Sequence, residues 1–446
     1  MKVKWFIFLA VLVLGLSAAP SALSAQGLFE QAEKGGNKGL AFELNGFIRG
    51  ALFAGKTPGE KKAEIKSSYG EMALKLMVRK QNLGNAYAEV RVRKGMEFDH
   101  SVSELSLREA YVNAYLGPVD LRIGHQIVAW GRADGFNPTD NITPQNALTR
   151  SADEDDRRTA NFLLRSFLNL YPFRIETIWI PAYQSSVIPF DFLPLPENIS
   201  LNTFNPGLQL QNSAFAFKLH LLLPSLEGSI SYFNGFLPSP GLYADLANPL
   251  SPDGQIMVFL KPFRMHILGA DFSTTVAGSV GLRGEIAYRK PHDDYKTNLH
   301  IPNPDIYYVI GLDKELVESL SLIFQYSGRY VLDYKPLVQP VDPMLDLQYQ
   351  LALKNRLINY QQYKFSHSFF GELGWKLLYE TLNLELAGMV NITSREVFIR
   401  PKLVYDISDA FTFTLGGELY LGPEDSLYDA IASYLGAVYM EFKMSF

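Results

Sequence analysis

Arg49, Lys75, Arg79, Arg91, Arg93 and Arg122 stand at alternate positions of stretches rich in apolar residues, and Glu89, Glu109, Tyr111, Tyr115 and Gln126 recur with the same spacing. In an extended chain every second side chain points to one side. A wall built in this way concentrates counter-ions and sorts solutes by sign, so its chemistry is recognition and conduction, with no bond-making. The same spacing allows a second arrangement. Glu71, Glu89, Glu109 and Asp120 can pair with these cations and simply hold the wall rigid. After Trp130, the polar stretch 129–159 adds Arg132, Asp134, Asp140, Arg150, Arg157 and Arg158, with Pro138 and Pro144 limiting its conformations. Folded inward, it would narrow a pore and set acids against the basic wall. Left outside, it is a solvated surface loop.

Other chemistry finds little footing. The seven His residues, at 100, 125, 220, 266, 292, 300 and 367, offer no ligand-spaced pair on one face, and there is no Cys, so no metal site is expected. Asp134, Asn137 and Asp140 supply oxygen ligands, but their spacing departs from the helix-loop-helix calcium pattern. His367 lies between Ser366 and Ser368, yet neighbours on a strand point to opposite faces. No nucleophile, base and orienting group can be assembled, and neither catalysis nor a cofactor is expected. A formal net charge of −5 argues against nucleic acid as a partner, which would want a concentrated basic face.

The elements that must carry these side chains are strands. Met72, Leu74, Leu76 and Val78 oppose Glu71, Lys75 and Arg79; Phe411, Phe413, Leu415 and Leu419 oppose Thr412, Thr414, Glu418 and Tyr420. Period-2 patterning predicts strands near 40–54, 68–80, 85–94, 104–116, 118–128, 160–171, 173–180, 207–223 and 228–233. It predicts others near 262–274, 278–289, 304–313, 318–332, 365–378, 382–392, 395–405, 410–421 and 431–446. The count is about eighteen, with sixteen as the alternative. Every second connection is short, and the connections 129–159, 181–206, 234–261, 290–303 and 333–364 are long. That alternation fits an all-β transmembrane antiparallel barrel with short periplasmic turns and long extracellular loops. A soluble sandwich would not enforce it.

Both termini fit the same picture. Lys2 and Lys4 precede an apolar run from Trp5 to Leu16 and then small residues, so 1–25 reads as a signal peptide too short to span a membrane. Residues 26–39 read as a short periplasmic lead-in and 40–446 as the barrel. At the far end, Val438, Met440, Phe442, Met444 and Phe446 share one face. This resembles the closing-strand signal by which the barrel-assembly machinery recognises its substrates.

One hairpin carries a more specific likeness. Leu107-Arg108-Glu109-Ala110-Tyr111, then Leu121-Arg122-Ile123-Gly124-His125-Gln126, then Trp130-Gly131, resembles a hairpin that recurs in outer-membrane porins and alginate-export-type barrels. His125 stands where those families often carry Arg or Lys. The resemblance covers about forty residues and implies barrel architecture in the outer membrane, with lipid and a small solute as partners. The expected function is a porin-like channel for passive diffusion of small hydrophilic, including anionic, solutes. Two other readings stay open: a barrel exporting or importing polysaccharide, and a filled barrel that scaffolds the envelope or binds a partner through outer loops such as 190–195 and 232–243. No strand is visibly adapted to subunit contact, and a homo-oligomer stays open as well.

Overall fold

The computed structural model describes residues 39–56, 62–188, 199–245, 250, 254–342 and 346–446. The signal-peptide reading, the lead-in up to residue 38 and the aromatic segment 190–195 lie outside the described residues.

The strands in chain order are β1 (Leu40–Gly55), β2 (Glu64–Lys80), β3 (Gly84–Glu97), β4 (His100–Leu116), β5 (Val119–Gln126), β6 (Asn161–Leu170) and β7 (Phe173–Ile180). They continue as β8 (Ile199–Thr203), β9 (Ala214–Leu222), β10 (Leu226–Phe236), β11 (Gly241–Ala244), β12 (Ile256–Lys261), β13 (Arg264–Val276) and β14 (Val280–Pro291). The last are β15 (Asp305–Val317), β16 (Leu320–Val331), β17 (Phe365–Leu377), β18 (Leu382–Asn391), β19 (Glu396–Asp406), β20 (Phe411–Leu421) and β21 (Ala437–Ser445). Two helices, α1 (Asp346–Ile358) and α2 (Leu427–Leu435), interrupt them.

Eighteen strands, and not sixteen, pair antiparallel in one sheet, each with its neighbour in the chain once β8, β11 and β12 are set aside. The sheet closes on itself where β1 meets β21, from Phe47 opposite Ser445 to Ala54 opposite Val438. Closure leaves no edge, the condition for strands to survive in lipid. Phe446 completes the seam: Gly46 N–H donates to its carbonyl at 2.9 Å, and its own N–H donates back at 3.0 Å.

The facing follows the alternation. Met440, Phe442 and Met444 of β21 are 43%, 55% and 40% exposed, whereas Ala437, Tyr439 and Glu441, of the opposite parity, are buried. Ile48, Met72, Leu74, Leu76, Val92, Leu386 and Leu415 are likewise exposed on the outside, and such an apolar belt is the surface that lipid covers.

Three departures concern local geometry. The segment predicted to begin the last strand at 431 is helical through Leu435, because Ser426 caps α2 by accepting from Asp429 N–H. The stretch 207–213 precedes β9 without strand pairing. The long connections also fold on one another: β8, β11 and β12 form a separate sheet with β8 and β12 parallel. Leu242, Val258 and Leu351 are buried between that sheet and α1. The buried Asn355 of α1 fastens this cap, donating to the Leu242 carbonyl at 2.8 Å and accepting from its N–H at 2.7 Å.

Lys66 locks the seam from inside. Its ammonium donates to the carbonyls of Lys56 at 2.8 Å, Tyr434 at 3.3 Å and Gly436 at 3.2 Å, and also to that of Ser433. It thereby satisfies the C-terminal carbonyls of α2, which have no intrahelical partner. Lys66→Met is expected to destabilise the barrel by about 1–3 kcal/mol, the cost of leaving such groups unmade. A lower midpoint in a circular-dichroism melt would register it, and an unchanged midpoint would show that water replaces the ammonium.

Candidate pore and its constriction

The connection between β5 and β6 turns into the barrel and crosses it. Its first half is held by an apolar core inside the lumen, where Val128, Trp130 and Ile142 pack on Leu163, Ile178, Ala216, Phe233, Met265 and Ile267 of β6 to β13. Here the strands are apolar on both faces, outward to lipid and inward to the loop. Each large side chain so buried contributes about 1.5–3 kcal/mol. The Glu285 carboxylate then grips the turn, accepting from Ala133 N–H at 2.7 Å, from the Thr139 hydroxyl at 3.0 Å, and from Arg132 N–H. Gly131 lets the chain pass over that carboxylate. Its φ is +103°, which disfavours any side chain, and an added Cβ 2.7 Å from a Glu285 oxygen would push the carboxylate from its place. The Trp130 indole N–H donates to Glu176 at 3.2 Å, so the Trp-Gly pair that ends the hairpin motif is the hinge that turns the loop inward.

The second half docks on the opposite wall. Arg150 is buried and pairs with Glu418 of β20 at 3.2 Å, joined there by Arg157 at 2.8 Å. Between them a 3-10 turn (Glu154–Arg157), capped by Asp153, presents Asp156 to the early strands. Asp156 meets Arg49 and Arg91 at 2.7 Å each and accepts from Ser151 at 2.6 Å. Burial opposes its ionisation, but Arg49 and Arg91 outweigh burial and hold the carboxyl well below the usual carboxylate range. Arg108 adds hydrogen bonds to the carbonyls of Asp155, Asp156 and Arg158. It reaches the lumen because β4 has a bulge: Glu89 pairs with Glu109, Val90 with Leu107, and Arg108 is the extra residue. Strict alternation with Glu109 inward would send Arg108 into lipid, which is why sequence reasoning missed it.

The early wall is thus a paired network. Arg49 lies 2.6 Å from Glu71, Arg93 lies 2.6 Å from Glu71 and 2.7 Å from Glu97, and Arg91 lies 2.7 Å from Glu89. Lys75 reaches Glu89 only at 3.9 Å, and Arg79 pairs with Glu43 at 2.8 Å in an exposed position near the short-turn end. Glu109 accepts from Ile127 N–H at 2.8 Å, and Arg122 stacks on Tyr111 with its carbon 4.3 Å from the ring centroid. Tyr115 accepts from Asn85 at 2.8 Å; Gln126 is fully buried and donates to the Leu163 carbonyl at 3.0 Å. Of the loop residues, Arg132 binds Asp271 and Glu227, Asp134 binds Arg283 at 2.9 Å, and Arg158 binds Asp140 at 2.7 Å. Ser366 and Ser368 face the lumen, whereas His367 points outward to the Tyr326 hydroxyl at 2.8 Å.

Open space lies away from the early wall, and Asp134, Asp140, Arg157 and Arg158 of the loop border it. A cavity of about 630 Å³ runs between the loop and the wall of β15 to β19, lined by Tyr307, Arg329, Phe370, Glu372, Asn391 and Arg400 among others. A second, of about 540 Å³, is lined by Lys402, Thr412, Thr414, Glu441 and Lys443. Glu154, Asp155 and Arg400 line both, so the two cavities meet at the Arg400–Glu154 ion pair. Arg400 also lies 3.5 Å from Glu385, which Lys402 approaches at 2.7 Å. Arg329, Arg400 and Lys402 alternate with apolar residues just as the early cations do. Nothing in the sequence says which wall the loop leaves open.

A closed antiparallel barrel with an apolar outer belt, a charged inner wall and a connection folded across the lumen defines the class: this is a transmembrane β-barrel with the fold of outer-membrane porins. Solved outer-membrane porins share that fold. Acinetobacter baumannii OccAB4 superposes with a TM-score of 0.55 at 10% identity, over 92% of this chain and 99% of that one. Pseudomonas aeruginosa OccK9 (OpdG) gives 0.54 at 8% identity, over 91% and 97%, and OccK11 (OpdR) of the same organism 0.51 at 10%, over 90% and 95%. No protein-family model matches the chain, and no curated protein is recognisably similar in sequence.

Proposed function

We propose that the protein is a channel for passive diffusion of small hydrophilic solutes, anions among them. The observation that carries this reading is the pair of open cavities meeting at Arg400 beside an inward-folded loop. Solute would descend along the β15 to β19 wall. There the strand-borne cations Arg329, Arg400 and Lys402 face the loop carboxylates Glu154 and Asp155 across the narrowing, which makes a transverse field. The basic wall of the early strands would act differently, by anchoring the loop through Asp156.

A filled barrel that binds a partner is favoured by one observation, the apolar core that occupies one side of the lumen. Single-channel recording of the refolded protein in a planar bilayer under a salt gradient separates the two. Steady currents with anion preference are expected, and a folded barrel that passes no ions would leave the filled-barrel reading standing.

A further inference from the structure

On the lipid-facing side of β10, β13 and β14, the cross-strand rows change character towards the long-loop end. Ile230, Ala270 and Ile286 form one row; Tyr232, Leu268 and Tyr288 form the next; Asn234, His266 and Lys290 form the one above. These positions point outward, because Phe233, Ile267 and Ala287, which lie between them in sequence, are buried inside the barrel. The sequence of rows is an apolar belt, an aromatic girdle and then a basic band, and the long-loop end of such a barrel is its outer end.

The basic band is organised. The Tyr232 hydroxyl lies 2.8 Å from His266 Nδ1 and the two rings stack. A hydroxyl donating to Nδ1 leaves the Nε2–H free to donate outward. The His292 ring lies 5.6 Å from that of His266, and these groups with Lys290 and Tyr288 border an outward-facing cavity of about 370 Å³. Arg264, above them, binds the carbonyls of Gln211 and Ser213 and the side chain of Asn234, none of which neutralises it. The carboxylate at hand is Asp293, 3.0 Å from His292. Among the described residues, no carboxylate forms an ion pair with Lys290.

We propose that this band is a docking site for the phosphate-bearing headgroup of an anionic lipid, with Lys290 and His266 as the hydrogen-bond donors to its phosphate. An ammonium and an imidazole N–H directly above an aromatic girdle, aimed away from the lumen, sit where headgroups lie and where the lumen's solutes do not pass.

Native mass spectrometry of the detergent-solubilised protein, with phosphatidic acid or phosphatidylcholine of the same acyl chains added, tests it. Phosphatidic acid is expected to bind about tenfold more tightly, the factor lost with one charge-assisted contact. Lys290→Gln with His266→Gln should abolish the preference, and Lys290→Glu should do so even if the double variant folds poorly. Channel conductance should not move in either variant. Equal retention of the two lipids, full retention of phosphatidic acid by the folded variants, or displacement of the lipid by equimolar inorganic phosphate would each overturn the proposal.

Discussion

Asp156→Asn should loosen the constriction and give a larger, noisier channel. The carboxylate is the common partner of Arg49 and Arg91, and removing one member of a buried charge pair costs up to about 3–5 kcal/mol, here towards the lower end because Arg49 keeps Glu71 and Arg91 keeps Glu89. A loss of about 3 kcal/mol shifts the balance between docked and released loop by about a hundredfold. In bilayer recordings this would appear as a higher mean conductance with transitions between two levels. Acid should reproduce it in the unmodified protein. The folded Asp156 carboxyl ionises below its unfolded value, so its contribution is complete above about pH 4, the ordinary range. It is lost only as pH falls through the depressed folded value, so the docked level should persist to pH values at which exposed carboxylates have already protonated. Lys75→Gln is the control, since its side chain is 38% exposed and its contact with Glu89 is 3.9 Å, a pair of little energetic weight. If Asp156→Asn leaves the conductance trace unaltered, the second half of the loop does not set the pore width.

Sequence alone reaches the strands and their facing because both follow from local alternation. All eighteen barrel strands fall within or beside the predicted spans, and the closing strand carries its apolar face outward. Local alternation fails where geometry breaks the period, as at the Arg108 bulge, or where a cap converts the first residues of a predicted strand into α2. It also says nothing of long-range docking. The parallel pairing of β8 with β12 and the lodging of Asn355 against Leu242 join distant connections. The alternating pattern places the expected pore lining where cations are dense in sequence. Those cations prove to be dense because they hold carboxylates, Asp156 above all, and the open space lies across the barrel beside cations that are sparser.

That distinction yields the second large effect. Arg400→Gln is expected to shift ion preference strongly towards cations, because Arg400 lines both cavities and its loss leaves Glu154 facing the passage without its partner. A unit charge about 4 Å away is worth about 1 kcal/mol in water, which is about a fivefold change in local ion concentration. The reversal potential under a salt gradient would read the shift, and raised ionic strength should shrink it. Arg91→Gln should behave in the opposite way. Arg91 is held between Glu89 and Asp156 on the early wall, so its removal should unsettle the loop, raise current noise and leave the reversal potential almost where it was. A larger selectivity shift from Arg91→Gln than from Arg400→Gln would mean that ions pass along the early strands, and the lining assigned to β15–β19 would have to be abandoned.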